Sequence, residues 1–402
     1  MELSKIVDPT GLIYGFELGN EVQHGSLDMD LERLGRAYQK LSSILAEVWP
    51  EAETRPKLLG PATSGSGYKE YLPHIGEYLD ILTYHKYQHS GTDPNLTEIV
   101  LQPDFLWKTD VYSKHVEPAA EFGLKEVWIG EGAMASHSGR PNVTDTFMST
   151  LWFTNALGSM SKAQPLPITT MCRQTLVGGF YGLLDQFTYD PNPDFYMMRL
   201  WKHLVGQQTL DSIETTIKDE ELLRVHAFCG ATPGEVALIF VSIDPNYRTL
   251  SIPLGSRRDV YRLQGHPNVQ GKKVRLNGSL QFMAEDGSLP DIVPVTESPQ
   301  QALGIPPQSV TFVVLHETGI TACGTKPEPD TDTNVDPNSI PPTPSASRSS
   351  SSSSHVVIWL LVIIVVNLLV ALVFRHLRQR NETRHTEVTQ IDPNEQEDNE
   401  II

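Results

Sequence analysis

The sequence is short of basic residues, of cysteine and of any export signal at its start. Only 31 lysines and arginines stand against 49 aspartates and glutamates, giving a formal net charge of −18 over 402 residues. Nucleic acid is thereby excluded as the expected partner, because neutralising phosphates needs a dense basic surface. The same deficit makes a heavily sulfated polyanion a poor default ligand unless basic groups gather at one cleft. Cys172, Cys229 and Cys323 permit at most one intramolecular disulfide. The opening MELSKIVDPT has no apolar h-region, so no cleavable signal peptide is visible. The sequence also lacks a cluster of metal-ligand type, a Gly-rich phosphate loop and a G-x-S-x-G nucleophile elbow. No metal and no organic cofactor is expected.

What is present begins with length. A chain of 402 residues is enough for two domains of ordinary size. Apolar residues make up 39%, and the modest shortfall is confined to a polar stretch near the C-terminus. Just beyond that stretch, Val356 to Phe374 reads VVIWLLVIIVVNLLVALVF, interrupted only by Asn367. At the helical rise this run spans roughly 28 Å, which predicts one transmembrane helix. Arg375, Arg378, Arg380 and Arg384 follow it, so the positive-inside rule predicts a single-pass protein. Residues 375–402 would be a short cytoplasmic tail, and the large N-terminal part would be extracellular or lumenal. Residues 326–355, rich in Pro, Ser, Thr and Asp, read as a disordered stalk.

From Ile13 to about Leu204 short apolar runs alternate with helix-like segments. The strand-like runs are Ile13–Leu18, Lys57–Gly60, Ile81–His85, Val127–Gly130 and Ile168–Cys172. Between the first two, Leu31, Leu34, Ala37, Tyr38, Leu41 and Leu45 recur at helical spacing within Asp30–Val48. Pro103–Phe122 and Thr144–Leu157 also read as helices. Such alternation implies a parallel sheet with crossover connections, assigned here to residues 1–204. Over residues 205–325 the texture becomes short strands separated by Gly, Pro and Asn, which predicts an antiparallel β-sandwich domain. A bond between Cys229 and Cys323 would staple an early strand of that domain to its end, whereas Cys172 reads as a small buried hydrophobe. The N-x-S/T triplets at Asn95, Asn142 and Asn277 are candidate glycosylation sites.

Two glutamates carry the chemistry. Phe16-Glu17-Leu18-Gly19-Asn20-Glu21 places an Asn-Glu pair where a strand ends, and Val127-Trp128-Ile129-Gly130-Glu131 places a second glutamate at the end of a later strand. In a parallel barrel all strand C-termini open on one face, so groups distant in sequence meet there. Cleaving a glycosidic bond needs one protonated carboxyl for the leaving oxygen and one ionised carboxylate opposite it. Asn20 would bond the sugar hydroxyl beside the reacting carbon.

IYGFELGNE, Ile13 to Glu21, resembles the acid/base strand of the heparanase-like endo-β-glucuronidases, a branch of the retaining (β/α)8 glycosidase clan. KLLGP at Lys57–Pro61 and DILTYHKY at Asp80–Tyr87 resemble that family's strands five and six, and Asp145-Thr146-Phe147 the start of the following helix. Met171-Cys172-Arg173-Gln174, Gly178–Asp185, Asp190–Pro193 and Tyr196–Val205 continue the similarity to about Cys323. The resemblance implies a TIM-type barrel entered at about strand four. It also implies Glu21 as acid/base, Glu131 as nucleophile, and retention of configuration. Tyr84, His85 and Tyr87 would line the cleft, Gln174, Gly179 and Tyr181 would contact the substrate uronate, and Cys229 with Cys323 fall where the family has its disulfide.

The sequence departs from the family at three places. Strand four begins almost at Met1, so the first three βα units have no counterpart, and the true N-terminus is expected to lie upstream. No Lys/Arg cluster follows KLLGP. The family's paired glycines after the nucleophile are replaced by His137-Ser138-Gly139-Arg140, where Arg140 is the available partner for a carboxylate. The expected partner is a polysaccharide or glycosaminoglycan-like substrate, with the membrane engaged through the one C-terminal helix. The alternatives left open are an inactive glycan-binding homologue and a clan-related β-glycosidase for neutral glycans.

Overall fold

The computed structural model describes residues 8, 11–22, 30–64, 67–108, 110–210, 221–252 and 254–324. Its first half alternates strand and helix: β1 Gly15–Glu17, α1 Leu31–Val48, β2 Lys57–Ser64, α2 Tyr68–Ile75, β3 Ile81–Ser90, then α3 Leu96–Ile99, α4 Pro103–Leu106 and α5 Asp110–Glu121. β4 Val127–Ser136, α6 Phe147–Met160, β5 Ile168–Arg173 and α7 Pro193–Leu204 complete it. The five strands pair in sequence order, every pair parallel, as half of a (β/α)8 barrel sheet. Parallel neighbours require the crossovers that the helices supply.

Local chemistry explains the elements. Asp30 caps α1, its carboxylate accepting the Arg33 N–H, and the helix buries Leu34, Tyr38 and Leu45 along one stripe. The expected single helix over Pro103–Phe122 is instead α4 and α5. α6 has no polar face, because it lies between two sheets: Phe147, Leu151, Trp152 and Phe153 are all buried in one core with strands of both.

The second half is antiparallel. β6 Val205–Thr209, β7 Leu223–Gly230 and β8 Val236–Ser242 lead to β9 Arg248–Leu250, β10 Arg257–His266, β11 Lys273–Leu276 and β12 Ser279–Gln281. β13 Val295–Glu297, β14 Leu303–Ile305 and β15 Ser309–His316 follow. All but β9 and β14 form one eight-stranded sheet, with β13 pairing to β10; β9 and β14 form a separate ribbon. Strand alternation sorts the faces. Ile239 and Val241 of β8, with Val310, Phe312 and Val314 of β15, join the core shared with α6 and α7. Val236, Leu238 and Phe240, with Val313 and Leu315, pack under the ribbon residues Leu303 and Ile305. The ribbon is therefore the small second layer of a lopsided sandwich.

Cys229 at the end of β7 and Cys323 after β15 are bonded, with Cα atoms 5.2 Å apart and a sequence separation of 94. Closing so long a loop constrains the unfolded chain. Replacing both cysteines by alanine is expected to cost about 2–5 kcal/mol. Urea titrations of the oxidised protein and the variant measure this, and equal midpoints would refute it. Cys172, read from sequence as buried, is instead an exposed free cysteine on β5.

The expected transmembrane helix requires correction. Among the described residues no helix is long and apolar enough to cross a membrane. The longest described, α1, carries Glu32, Arg33, Arg36, Lys40 and Glu47 and packs on the sheet by one stripe only. Val356–Phe374 itself, with the stalk at 326–355 and the tail at 375–402, lies outside the described residues. Over the described residues the fold is accordingly a parallel half-barrel with an antiparallel β-domain, and none of its helices is long and apolar enough to cross a membrane. The single-pass localisation and the membrane partner are withdrawn with it.

Candidate active site

The strands run further than their apolar cores. β3 continues through Lys86–Ser90 and β4 through Glu131–Ser136, the two strands staying paired from His85↔Glu131 to Ser90↔Ser136. Glu131 therefore sits within a strand rather than at its end. Its direction is set by a β-bulge: Tyr84 pairs with Ile129 but His85 pairs with Glu131, so Gly130 is the extra residue on β4. The same insertion appears against β5, between Ile129 and Gly132. At Gly130 a Cβ would stand 3.1 Å from Oε1 of Glu17, a tight approach that the end of the Glu17 side chain would have to relieve by a small shift.

Glu21 is placed by a second irregularity. Its N–H donates to the Ala62 carbonyl at 2.8 Å, and Ala62 is the bulged residue between β2 and β3. Both residues adopt left-handed backbone, φ 45° at Glu21 and 53° at Ala62. Non-glycine residues hold such conformations only where their surroundings over-determine them, most often at functional sites. Tyr38 of α1 helps fix this corner, donating to the Leu18 carbonyl at 3.0 Å. Gly60 makes room for it: a Cβ there would fall 1.8 Å from the Tyr38 hydroxyl.

These two devices bring three side chains together. His85 Nδ1 lies 2.7 Å from Glu21 Oε1 and 3.8 Å from Glu131 Oε2. The Tyr87 hydroxyl donates to Glu131 Oε1. Burial, reinforced by this bond to Glu131, pushes the Tyr87 phenol well above its ordinary pKa, so it stays a donor. One oxygen of each glutamate and a His85 nitrogen all lie within 4.8 Å of one another. Three donors so arranged would also suit a divalent cation, a grouping invisible in the linear spacing. Here His85 is itself hydrogen-bonded to one glutamate, and Tyr87 occupies an oxygen of the other.

The remaining sequence-selected residues divide. Asn20 is exposed beside Glu21. Tyr84 does not line the cleft: it is fully buried, its ring stacked 4.6 Å from that of His115, because alternation turns it to the helix side while His85 and Tyr87 face the site. Tyr181 reaches the site, its ring 6.4 Å from that of Tyr87. Gly179, at φ 65°, donates its N–H to the Gln186 side chain at 3.2 Å, and Gln174 is held by its N–H on the Gly132 carbonyl at 2.9 Å. Arg140 joins the loop that meets this segment: Thr144 donates to Phe180 O at 2.8 Å and accepts the Arg140 N–H at 2.8 Å. The Arg140 guanidinium reaches Pro94 O at 3.4 Å. Asn95 and Asn142 are exposed, whereas the Asn277 amide donates to Val260 and Val293 carbonyls, and a glycan there would break at least one of these bonds. Sequence reasoning missed Tyr38, Gly60 and Gly130; a glycine inside a strand pattern was the available signal for the last two.

Residues 5–158 match glycosyl hydrolase family 79, N-terminal domain. The chain is 31% identical to baicalin-β-D-glucuronidase of Scutellaria baicalensis, over 75% of this chain and 59% of that protein. It is 27% identical to heparanase-like protein 2 of Arabidopsis thaliana, over 77% of this chain and 65% of that one. The chain thus spans about three-fifths of the length of these relatives. Among solved structures, a 4-O-α-L-rhamnosyl-β-D-glucuronidase from Fusarium oxysporum superposes with TM-score 0.55 at 15% identity, covering 78% of this chain and 72% of that one. That likeness is one of fold.

Proposed function

We propose a retaining β-glucuronidase activity for this chain, which is a heparanase-like member of glycosyl hydrolase family 79. Its substrate would be a uronic-acid-containing glycan. The observation that carries this reading is the separation of the carboxylates. Oxygens of Glu21 and Glu131 approach within 4.8 Å. Retaining glycosidases hold their carboxyl groups about 5–5.5 Å apart, whereas inverting ones leave about 6.5–9.5 Å for a water.

In this reading Glu131 attacks the anomeric carbon while Glu21 protonates the departing oxygen, and Glu21 then takes a proton from the water that releases the sugar. His85 suits that alternation. A protonated Glu21 donates to Nδ1, and an ionised Glu21 accepts from an Nδ1–H, so one contact at 2.7 Å serves both states. Tyr87 holds Glu131 in line through the bond its hydroxyl donates. Asn20 would bond the sugar hydroxyl next to the reacting carbon. Gln174, Gly179, Tyr181 and Arg140 would meet the uronate; the two loops that carry the last three are joined by the Thr144 hydroxyl donating to the Phe180 carbonyl at 2.8 Å.

The test is turnover of aryl β-glucuronides by the full chain, with the anomer of the first-formed product read by NMR. A β-configured product is expected. An α-configured product would refute the retaining assignment, and turnover restricted to neutral aryl glycosides would refute the uronate specificity. Tyr87→Phe is expected to lower kcat by about 10–100-fold, because the attacking carboxylate loses the hydroxyl that orients it. An unchanged kcat would remove Tyr87 from this role.

A further inference from the structure

A second cleft, of about 490 Å³, opens where the half-barrel meets the β-domain. One wall is the segment from Asp185 to Asp190, and the other is formed by Lys272, Lys273 and Phe282 around the β11–β12 hairpin. None of these residues belongs to the catalytic group. Two covalent segments nevertheless run from that group into this cleft. The segment carrying Gly179 and Tyr181 continues directly to Asp185, whose N–H donates to the Asp190 carbonyl at 2.8 Å. The segment carrying Arg140 and Thr144 continues to Asp145, whose buried carboxylate pairs with Lys272 Nζ at 2.7 Å. The Phe147 N–H then donates to the Gly271 carbonyl at 3.0 Å, which seats the hairpin on the start of α6.

The chemistry of the lining is that of a sugar site. Phe282 leaves 63% of its surface exposed at the lining of the cleft. Its ring offers an apolar face of the kind on which the C–H side of a pyranose stacks. Among the charged groups, Lys272 is committed to Asp145, and Asp185 is committed to the backbone N–H groups of Phe187 and Thr188. Those N–H bonds hold the Asp185 carboxyl below its usual range. Lys273 is exposed beside them and supplies a cation for a uronate carboxylate, while Asp190 supplies an acceptor for sugar hydroxyls.

We propose that this cleft is an accessory subsite for a uronate-bearing glycan, holding a part of the polymer several sugars away from the bond that is cut. The proposal rests on the glycosidase reading for its ligand class. It adds that recognition extends onto the β-domain, which only a chain longer than the catalytic cleft can exploit.

The experiment uses the full chain with Glu131→Gln to prevent turnover, titrated calorimetrically with β-linked uronic-acid oligosaccharides of increasing length and with neutral oligosaccharides of equal length. Affinity is expected to step up once the ligand spans both clefts. Phe282→Ala and Lys273→Ala, at exposed positions that leave the thermal melt unchanged, are each expected to weaken the long ligands about tenfold. With Glu131 intact, the same variants are expected to leave kcat and KM for a small aryl β-glucuronide unaltered. A length profile without a step, or one indifferent to Phe282→Ala, would overturn the subsite even if aryl glucuronides are hydrolysed. Equal binding of neutral oligosaccharides would overturn the assignment of Lys273 to a uronate. A Phe282-dependent step in a protein that turns over nothing would uphold the subsite and overturn the glycosidase.

Discussion

Glu131→Gln is expected to reduce kcat on aryl β-glucuronides on the order of 10⁴-fold, with the loss independent of the leaving group. The amide keeps the size of the carboxylate and still accepts the Tyr87 hydroxyl, so the local packing is preserved while the attacking charge is gone. Glu21→Gln should behave differently. Its loss should be severe for poor leaving groups and shallow for acidic phenols, which depart without protonation. A plot of log kcat/KM against phenol pKa for each variant therefore assigns the two roles. A steep leaving-group dependence in the Glu131 variant with a flat one in the Glu21 variant would exchange them. No turnover by the unsubstituted, folded chain on glucuronides or neutral aryl glycosides would leave a glycan-binding protein in place of an enzyme.

The largest expected effect on stability lies at Asp194, behind the site. Its carboxylate sits in the first turn of α7 and accepts Arg173 Nη2 at 2.9 Å, Ser149 Oγ at 2.9 Å and Thr150 Oγ1 at 2.8 Å. Both charged side chains are nearly inaccessible, at 3% and 4%. The cluster thereby joins the end of β5 to α6 and α7. Arg173 also lies over the Phe153 ring, 5.1 Å from its centroid. Asp194→Ala strands a buried guanidinium and two hydroxyls, and is expected to cost about 3–5 kcal/mol. Replacing both charges, Asp194→Leu with Arg173→Met, is expected to recover much of that loss, since the pair's own desolvation is removed with it. Urea titrations measure both. A loss below about 1 kcal/mol for the single change would mean that water reaches the arginine.

Much of the architecture was readable because apolar periodicity and helix caps are local. The α1 stripe, the strand cores and the change to antiparallel texture after Leu204 all follow from neighbouring residues. The pairing of Glu21 with Glu131 was legible only through the rule that parallel strands open on one face and through the resemblance at IYGFELGNE. What escaped was non-local. Tyr84 looked like a cleft residue because it sits in the polar-aromatic run TYHKY, and only the pairing register turns it into the core. The Asp194 cluster joins positions as far apart as 45 in sequence, which no local pattern announces. The apolar segment at Val356–Phe374 lies outside the described residues, among which no helix is long and apolar enough to cross a membrane.

The bulge at Gly130 has a consequence best put as parity. Below it, Val127 and Ile129 point into the helix-side core. Under strict alternation residue 131 would share their phase and drive a carboxylate into that apolar layer. One inserted residue inverts the phase, so β4 serves two masters: its lower half is odd-numbered for the core, and above the insertion the odd number at 131 belongs to the cleft. Removing a single glycine would thus do more than shift the chain by one step, because it would exchange the inside and the outside of the site.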